Sequence, residues 1–136
     1  MEQVYPSAIN QHLCEKTIMM SEETTARVSN INLTIGLDKN NIPEKISWEA
    51  TDAAPGIHES NAMLLALWDH RDKTGMSIDI WTKEMTVPEM NLFFYQTIST
   101  LADTFFRATN NKSLSDDLKN FAREFIEKVK KMEKTG

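Results

Sequence analysis

Residues 76–94, MSIDIWTKEMTVPEMNLFF, contain the point at which the spacing of apolar residues changes. Met76, Ile78 and Ile80 alternate with other side chains, a period of two that predicts a β-strand. From Met90 onward the apolar residues recur every three or four positions, which predicts an α-helix. The chain therefore reads as a strand-forming half followed by a helix-forming half, which is the α+β pattern.

The start of this helix is specified by its first residues. Thr86 and Glu89 have the spacing of a capping box, and Pro88 in the first turn breaks no helical hydrogen bond. We therefore predict a helix over Val87–Thr109 with one apolar stripe for core packing. The stripe consists of Met90, Phe94, Ile98, Leu101, Phe105 and Ala108.

A second helix is predicted from Ser113 or Ser115 to the C-terminal region. Asp116 and Asp117 stand near its positive end and lysines near its negative end, which suits the helix dipole. Its apolar face comprises Leu114, Leu118, Phe121, Ala122, Phe125, Ile126 and Val129.

Strand patterns occupy the chain before residue 82. Residues 31–37 alternate strictly, residues 38–41 have turn chemistry, and a second strand is predicted from Lys45 to Ala50. The apolar run 62–68 is interpreted as a central strand, paired with the strand that contains Ile78. The predicted fold is a four-stranded antiparallel sheet followed by two C-terminal helices packed on one face.

The first part of the chain lacks both periods. Residues 1–27 contain Pro6 and the start-like Met20, and we expect a disordered N-terminal extension there. Residues 28–132 are predicted to form a single α+β domain, because 136 residues suit one core.

Charge and hydropathy argue against two classes of partner, nucleic acids and membranes. The net charge of −5 argues against nucleic acid, which requires a basic surface. The longest apolar run has seven residues, against roughly 20 for a membrane span, and no secretory signal pattern opens the chain. We therefore expect no membrane insertion and a cytoplasmic location.

Motifs for catalysis or cofactor binding are missing from the sequence. Cys14 is the one cysteine and the three histidines are scattered, so no zinc-site spacing exists. His58 and His70 are expected in solvated turns, and no nucleophile motif or phosphate-binding loop occurs. We expect a protein that is not an enzyme and takes no cofactor or metal.

One feature exceeds what a single core requires. Beside its main stripe the first helix carries a second apolar flank, which includes Tyr95 and Phe106. The second helix would cover this flank, or it would form a subunit or partner interface. Trp81 falls on the polar side of its strand, where a tryptophan suits either an interface or cover by a loop.

Several segments together resemble the gliding motility-associated GldC family. The resemblance spans about residues 28–130 in the same order and spacing. It is carried by Val28 to Asp38, Pro43-Glu44-Lys45-Ile46 with Trp48 and Asp52, Ala62 to Asp69, Ile78 to Lys83 with Met85, and Ala102-Asp103-Thr104 with Arg107-Ala108-Thr109.

The resemblance implies a small accessory protein of surface motility and its linked secretion machinery, with protein partners from that machinery. The candidate contacts are Trp81, Lys83, Tyr95, Asp103, Phe106 and Arg107, and a homo-oligomer is possible. Asp103 and Arg107 also have the i,i+4 spacing of a helix-surface ion pair. The main hypothesis is a non-enzymatic adaptor or assembly factor. The alternative is a holdase chaperone similar to the export chaperone SecB, based on fold analogy alone.

Overall fold

The structure is a computed structural model that describes residues 25–135. Two helices follow the strands, so the predicted α+β class is confirmed. The elements are β1 (Ile31–Leu37), β2 (Pro43–Ala50), β3 (His58–Ser60), β4 (Ala62–Asp69), β5 (Thr74–Trp81), α1 (Val87–Thr109) and α2 (Lys112–Thr135). The predicted extension, residues 1–27, falls almost entirely outside the described residues, together with Cys14 and Met20.

Contacts divide the described chain into a strand unit, Val28–Thr86, and a helical unit, residues 87–135. The single domain over residues 28–132 stays a prediction, and so does the packing of the helices on one sheet face.

The strands form two sheets, so the predicted single four-stranded sheet is wrong. One sheet has the order β1-β2-β3, and β4 pairs with β5 in a separate two-stranded sheet. All pairings are antiparallel. The apolar run 62–68 is therefore one strand of a hairpin and not a central strand. Its unbroken apolar character suggested cover on both faces, but hydrogen bonding to two neighbours does not follow from hydrophobicity.

The turn between β1 and β2 follows from its residue types. The Asp38 carboxylate accepts hydrogen bonds from the amides of Asn40 and Ile42, at 2.7 and 3.0 Å. Asn41 adopts a φ of 63°, a left-handed conformation that asparagine tolerates. The predicted turn is confirmed, and β1 covers residues 31–37 as its alternation indicates.

A short third strand was missed in the sequence. His58, predicted in a solvated loop, is the first residue of β3 and pairs with Trp48 of β2. The two rings stack with centroids 4.6 Å apart, and the His58 Nε2 lies 2.9 Å from the carbonyl oxygen of Ala54. Three residues after a Pro-Gly turn are too few to show a period, so pattern analysis overlooks such a strand.

The helices form a hairpin. Helix α1 covers Val87–Thr109 as predicted. It ends at Asn110, which has a φ of 58° and whose amide donates a 2.7 Å hydrogen bond to the carbonyl oxygen of Phe106. Helix α2 begins at Lys112, before either predicted serine. Asn111 is its N-cap, because its side-chain oxygen accepts from the amide of Leu114 at 3.1 Å.

Few apolar side chains of the described residues are fully or almost fully buried. They are Ile46 in the strand unit and Ala102, Ala122 and Val129 in the helical unit. Two polar residues, Thr82 and Ser115, are also buried. Because three of the four apolar residues lie in the helices, the tightest packing in the described chain is the contact between α1 and α2.

Candidate functional site

A groove of about 400 Å³ lies between the first turns of α1 and the last turns of α2. Its lining is mainly apolar, with polar groups from both helices. The lining residues are Pro88, Asn91, Leu92, Tyr95, Ile126, Val129, Lys130 and Glu133. Such a groove suits an apolar side chain of a protein partner, with the polar groups at its rim.

Small residues set the spacing of the two helices beside this groove. Ala102 is completely buried, and Ser115 donates a 2.7 Å hydrogen bond from its hydroxyl to the Ala102 carbonyl oxygen. Ser115, Ala122 and Val129 are seven residues apart and lie along one line of α2. The small side chains of Ala102, Ser115 and Ala122 allow the backbones to approach closely.

An ion pair shows which side of the hairpin is which. When each helix is viewed along its axis from its N-terminus, Asp103 is rotated about 100° from Ala102 in α1. Lys119 is rotated about 60° from Ala122 in α2, in the same direction. The Lys119 Nζ and an Asp103 oxygen are 2.6 Å apart. Because the two helices run antiparallel, residues that are rotated in this direction from Ala102 or Ala122 lie on one side of the hairpin. We call it the groove side.

The predicted Asp103–Arg107 ion pair is wrong, because the structure gives both residues other partners. Asp103 pairs with Lys119 across the hairpin, and Arg107 donates to the Thr104 hydroxyl at 3.3 Å. An i,i+4 spacing offers a partner within one helix, but the closer approach comes from the neighbouring helix, which the sequence does not place. The Asp103–Lys119 pair is exposed and contributes at most ~1 kcal/mol to stability.

Two aromatic candidates belong to the groove side. Tyr95 lines the groove and is half-buried, and Phe106 lies further along α1 with 40% of its surface exposed. The predicted second apolar flank of α1 is therefore covered by α2 in part. Leu92, in the groove, is 48% exposed and was not among the candidate contacts, although it belongs to the same flank.

Lys83 has an intramolecular partner. Its Nζ lies 2.6 Å from the Asp38 carboxylate, whose side chain is only 14% exposed. The hydrogen bond from Lys83, with those from the Ile42 and Asn40 amides, lowers the pKa of Asp38 to about 2 from its usual 3.8. The same bond raises the pKa of Lys83. These contacts join the segment after β5 to the β1–β2 turn.

Trp81 is the last residue of β5 and lies at the open end of the β4–β5 hairpin. It lies opposite Ala62 and shares a face with Asp79, as its place in the alternation predicts. Its surface is 56% exposed, so a large apolar side chain is available to a partner. Next to it, the buried Thr82 donates its amide to the Asn61 carbonyl at 2.8 Å, which fixes the end of the hairpin.

The six candidate residues thus divide between the two units. Tyr95, Asp103, Phe106 and Arg107 lie on α1, whereas Trp81 and Lys83 lie at the end of β5 and just after it. The groove itself was missed, because its α2 wall comes from residues about 35 positions away in sequence. The amphipathic pattern of both helices is the signal from which a groove follows once they are paired.

Between residues 25 and 135, no three His, Cys, Asp or Glu side chains come together in a group able to hold a metal ion. None of the helices in that range has the length and hydropathy needed to cross a membrane.

Comparisons with known proteins identify the family. A comparison with curated proteins gives no match, and neither does one with solved structures. The family model described as gliding motility-associated protein GldC-like matches residues 43–131. This match covers the chain from β2 to the last turns of α2, so the protein belongs to the gliding motility-associated GldC-like family.

Proposed function

We propose that the protein is a non-enzymatic adaptor or assembly factor of gliding motility, which binds a component of the motility or secretion machinery. The groove side of the helical hairpin is the proposed contact surface, with Leu92, Tyr95 and Phe106 as apolar anchors. The observation that carries the proposal is the mainly apolar groove between α1 and α2. We further propose that the protein acts in the cytoplasm.

The composition of this surface supports a protein partner. Aromatic and large aliphatic side chains at the centre, with charged groups around them, are typical of protein–protein contacts. Lys130 and Glu133 supply both charge signs at the groove, and Asp103 and Lys119 lie further along the same side. These groups would give polar contacts to a partner's backbone or side chains.

The proposed absence of catalysis is supported by the present roles of the titratable groups. The Asp38 carboxylate accepts hydrogen bonds from Lys83 and from backbone amides of its turn, and these bonds lower its pKa. The Asp69 carboxylate accepts the amides of Asp72 and Arg71, which lowers its pKa as well. The His58 ring stacks on Trp48. These side chains stabilise turns and a strand pair, so a structural role explains them and no catalytic role is needed.

Capture from cross-linked cells of a gliding bacterium tests the adaptor role. We expect the tagged full chain to retain one stoichiometric motility or secretion protein, and Leu92→Glu to reduce that retention at least ~tenfold, because a charge would stand in the apolar groove. Gliding should be impaired in parallel. Thr100→Glu, which adds the same charge on an exposed part of α1, should leave both unchanged.

Unchanged capture and gliding with Leu92→Glu, in a chain whose circular dichroism shows intact helices, would exclude the groove as the contact. Cell fractionation of the same tagged strain tests the cytoplasmic location. Recovery of the protein outside the cytoplasmic fraction would contradict it.

A holdase role is the second candidate, favoured by the surface of the β4–β5 hairpin. One face of the hairpin carries three directly opposed apolar pairs, followed at the turn by the polar pair Asp69–Thr74. The apolar pairs are Met63–Ile80, Leu65–Ile78 and Leu67–Met76. Leu67, Ile78 and Met76 are at least half exposed, which suits binding of unfolded clients.

The same capture separates the two roles. A broad set of exported proteins, together with suppressed aggregation of a chemically denatured reporter protein in vitro, would favour the holdase. One stoichiometric partner, with no effect on that aggregation, would favour the adaptor.

A further inference from the structure

The outer edge of β1 has no strand beside it among the described residues. Strand β1 stands at one end of the order β1-β2-β3, so only its inner edge is paired. The Asn30 carbonyl accepts the Thr51 amide at 2.9 Å, so the backbone groups of Asn30 point towards β2. Because this direction alternates along an antiparallel strand, the N–H and C=O groups of Ile31, Leu33 and Ile35 point outward.

The sequence of β1 does not protect this edge against pairing. Free edges of natural sheets are usually kept short, or they carry charged residues, proline or a bulge. At the other edge of the same sheet, β3 has three residues, one of them the charged Glu59. Strand β1 has seven residues, none of them charged or proline, and its register irregularity falls past the outward groups, between Gly36 and Leu37. The contrast indicates an edge that another strand covers.

A segment that pairs with this edge must itself be extended, because the backbone groups of a helix are bonded within the helix. The helical unit offers no such segment, since residues 87–109 and 112–135 are helical. The sequence of residues 1–24 shows no alternating run. A second copy of β1 is extended, has the required alternation and is present wherever the protein is.

We propose that β1 pairs with β1 of a second copy of this chain, so that two three-stranded sheets join into one sheet of six strands. A two-fold axis through Leu33 makes this pairing antiparallel and self-complementary. Leu33 then meets Leu33 of the partner, and Ile31 meets the partner's Ile35, so all outward groups of these three residues are bonded. The inference does not rest on the proposed function, because it concerns the strand unit and not the groove.

The side chains also match in this register. On one face of the joined sheet the contacts are apolar, between the two Leu33 side chains and between Ile31 and the partner's Ile35. On the other face Asn32 meets the partner's Thr34, and both are uncharged polar groups. Like charges opposite each other would oppose pairing, and this register has none. Six strands are an ordinary size for a sheet.

Sedimentation of the full chain tests the pairing. We expect the wild-type protein to approach twice the 15.6 kDa mass of the chain as its concentration rises. Leu33→Pro removes the outward N–H at the two-fold axis, leaves the β1–β2 ladder bonded and should sediment at the single-chain mass. Leu33→Ala removes the same apolar side chain but keeps the N–H, and should still form the dimer.

A wild-type protein that stays at the single-chain mass, or equal sedimentation of the two Leu33 variants, would overturn the proposal. Fluorescence of Trp48, which lies opposite Leu33 in the β1–β2 ladder, checks that the sheet of each variant is intact.

A charge exchange tests the register without proline. Asn32→Lys with Thr34→Lys places like charges opposite each other at two symmetric positions, and should raise the dissociation constant of the dimer at least ~tenfold. Asn32→Lys with Thr34→Glu places opposite charges there, and should keep the wild-type constant or lower it. Both residues are exposed in the single chain, so the substitutions leave its core unchanged. Equal constants for the two double variants would overturn this register.

Discussion

Different interactions stabilise the helical unit and the strand unit. In the helical unit, small residues along α1 and α2 make a close and largely buried contact, with one hydroxyl bonded to a carbonyl inside it. In the strand unit, Ile46 is the one almost completely buried apolar residue, and polar anchors such as Asp38 and Thr82 hold the turns and strand ends.

The difference shows what an amphipathic pattern does and does not reveal. Both halves of the chain have clear apolar faces, and both were predicted to bury them. In the helical unit the small residues Ala102 and Ala122 are buried between α1 and α2, while larger apolar residues such as Leu101 and Phe121 do not lie in that contact and are more than half exposed. Periodicity therefore locates an apolar face, but the cover depends on which other surface reaches it.

The largest expected effect concerns Ile46. Ile46→Ala leaves a cavity under the β1–β2–β3 sheet and should lower the free energy of unfolding by about 2–5 kcal/mol. All three tryptophans lie in the strand unit, so urea unfolding followed by tryptophan fluorescence reports on it directly. Ile57→Ala, the same change at an exposed residue, is the control and should shift the midpoint little. Equal shifts for the two variants would show that Ile46 is not the anchor of the strand unit.

A smaller effect is expected in the helical contact. Ala122→Leu inserts a large side chain where Ala122 is buried against α1, and should cost about 1–3 kcal/mol. Urea unfolding followed by circular dichroism of the helices measures it. Glu124→Leu adds the same side chain at an exposed position of α2 and should have little effect. An unchanged transition for Ala122→Leu would mean that the helices are not closely packed there.

The third effect depends on pH. The pKa of Asp38 is about 2 in the folded chain and lies below its unfolded value, so the folded state favours the ionised carboxylate. Its contribution to stability is complete above pH ~4 and is lost as the pH falls towards 2. Asp38→Asn should therefore be less stable near neutral pH and show a flatter decline between pH 4 and 2. Asp72→Asn, in the β4–β5 turn, is the control, and identical declines for wild type and Asp38→Asn would contradict the ion pair with Lys83.

Several elements of the fold follow from local chemistry. The alternation of residues 31–37, the Asp38 turn and the limits of α1 were predicted correctly, because each depends on side chains within a few positions. The division into two sheets was not predicted, since pairing between strands depends on backbone hydrogen bonds that hydrophobicity does not specify. The strand at His58 was too short to show a period.

In the candidate site, too, some features were predicted from the local sequence and others depend on how the helices pack. Tyr95 and Phe106 were predicted as part of an apolar flank, and both lie on the groove side. The groove itself, and the pairing of Asp103 with Lys119, depend on α2 lying against α1. Lys83 was predicted as a contact from its place in a family motif, whereas its amino group pairs with Asp38 more than 40 residues earlier.

By itself the sequence determined the α+β class, the helix start at Val87, the β1–β2 turn and the family, because spacing, capping and turn chemistry act over short distances. Only the tertiary structure decided which strands pair, which partner Asp103 takes and which apolar stripe of α2 is covered. These outcomes depend on residues far apart in the chain being brought within a few ångströms. Many alternative pairings satisfy the same local pattern, and packing selects among them.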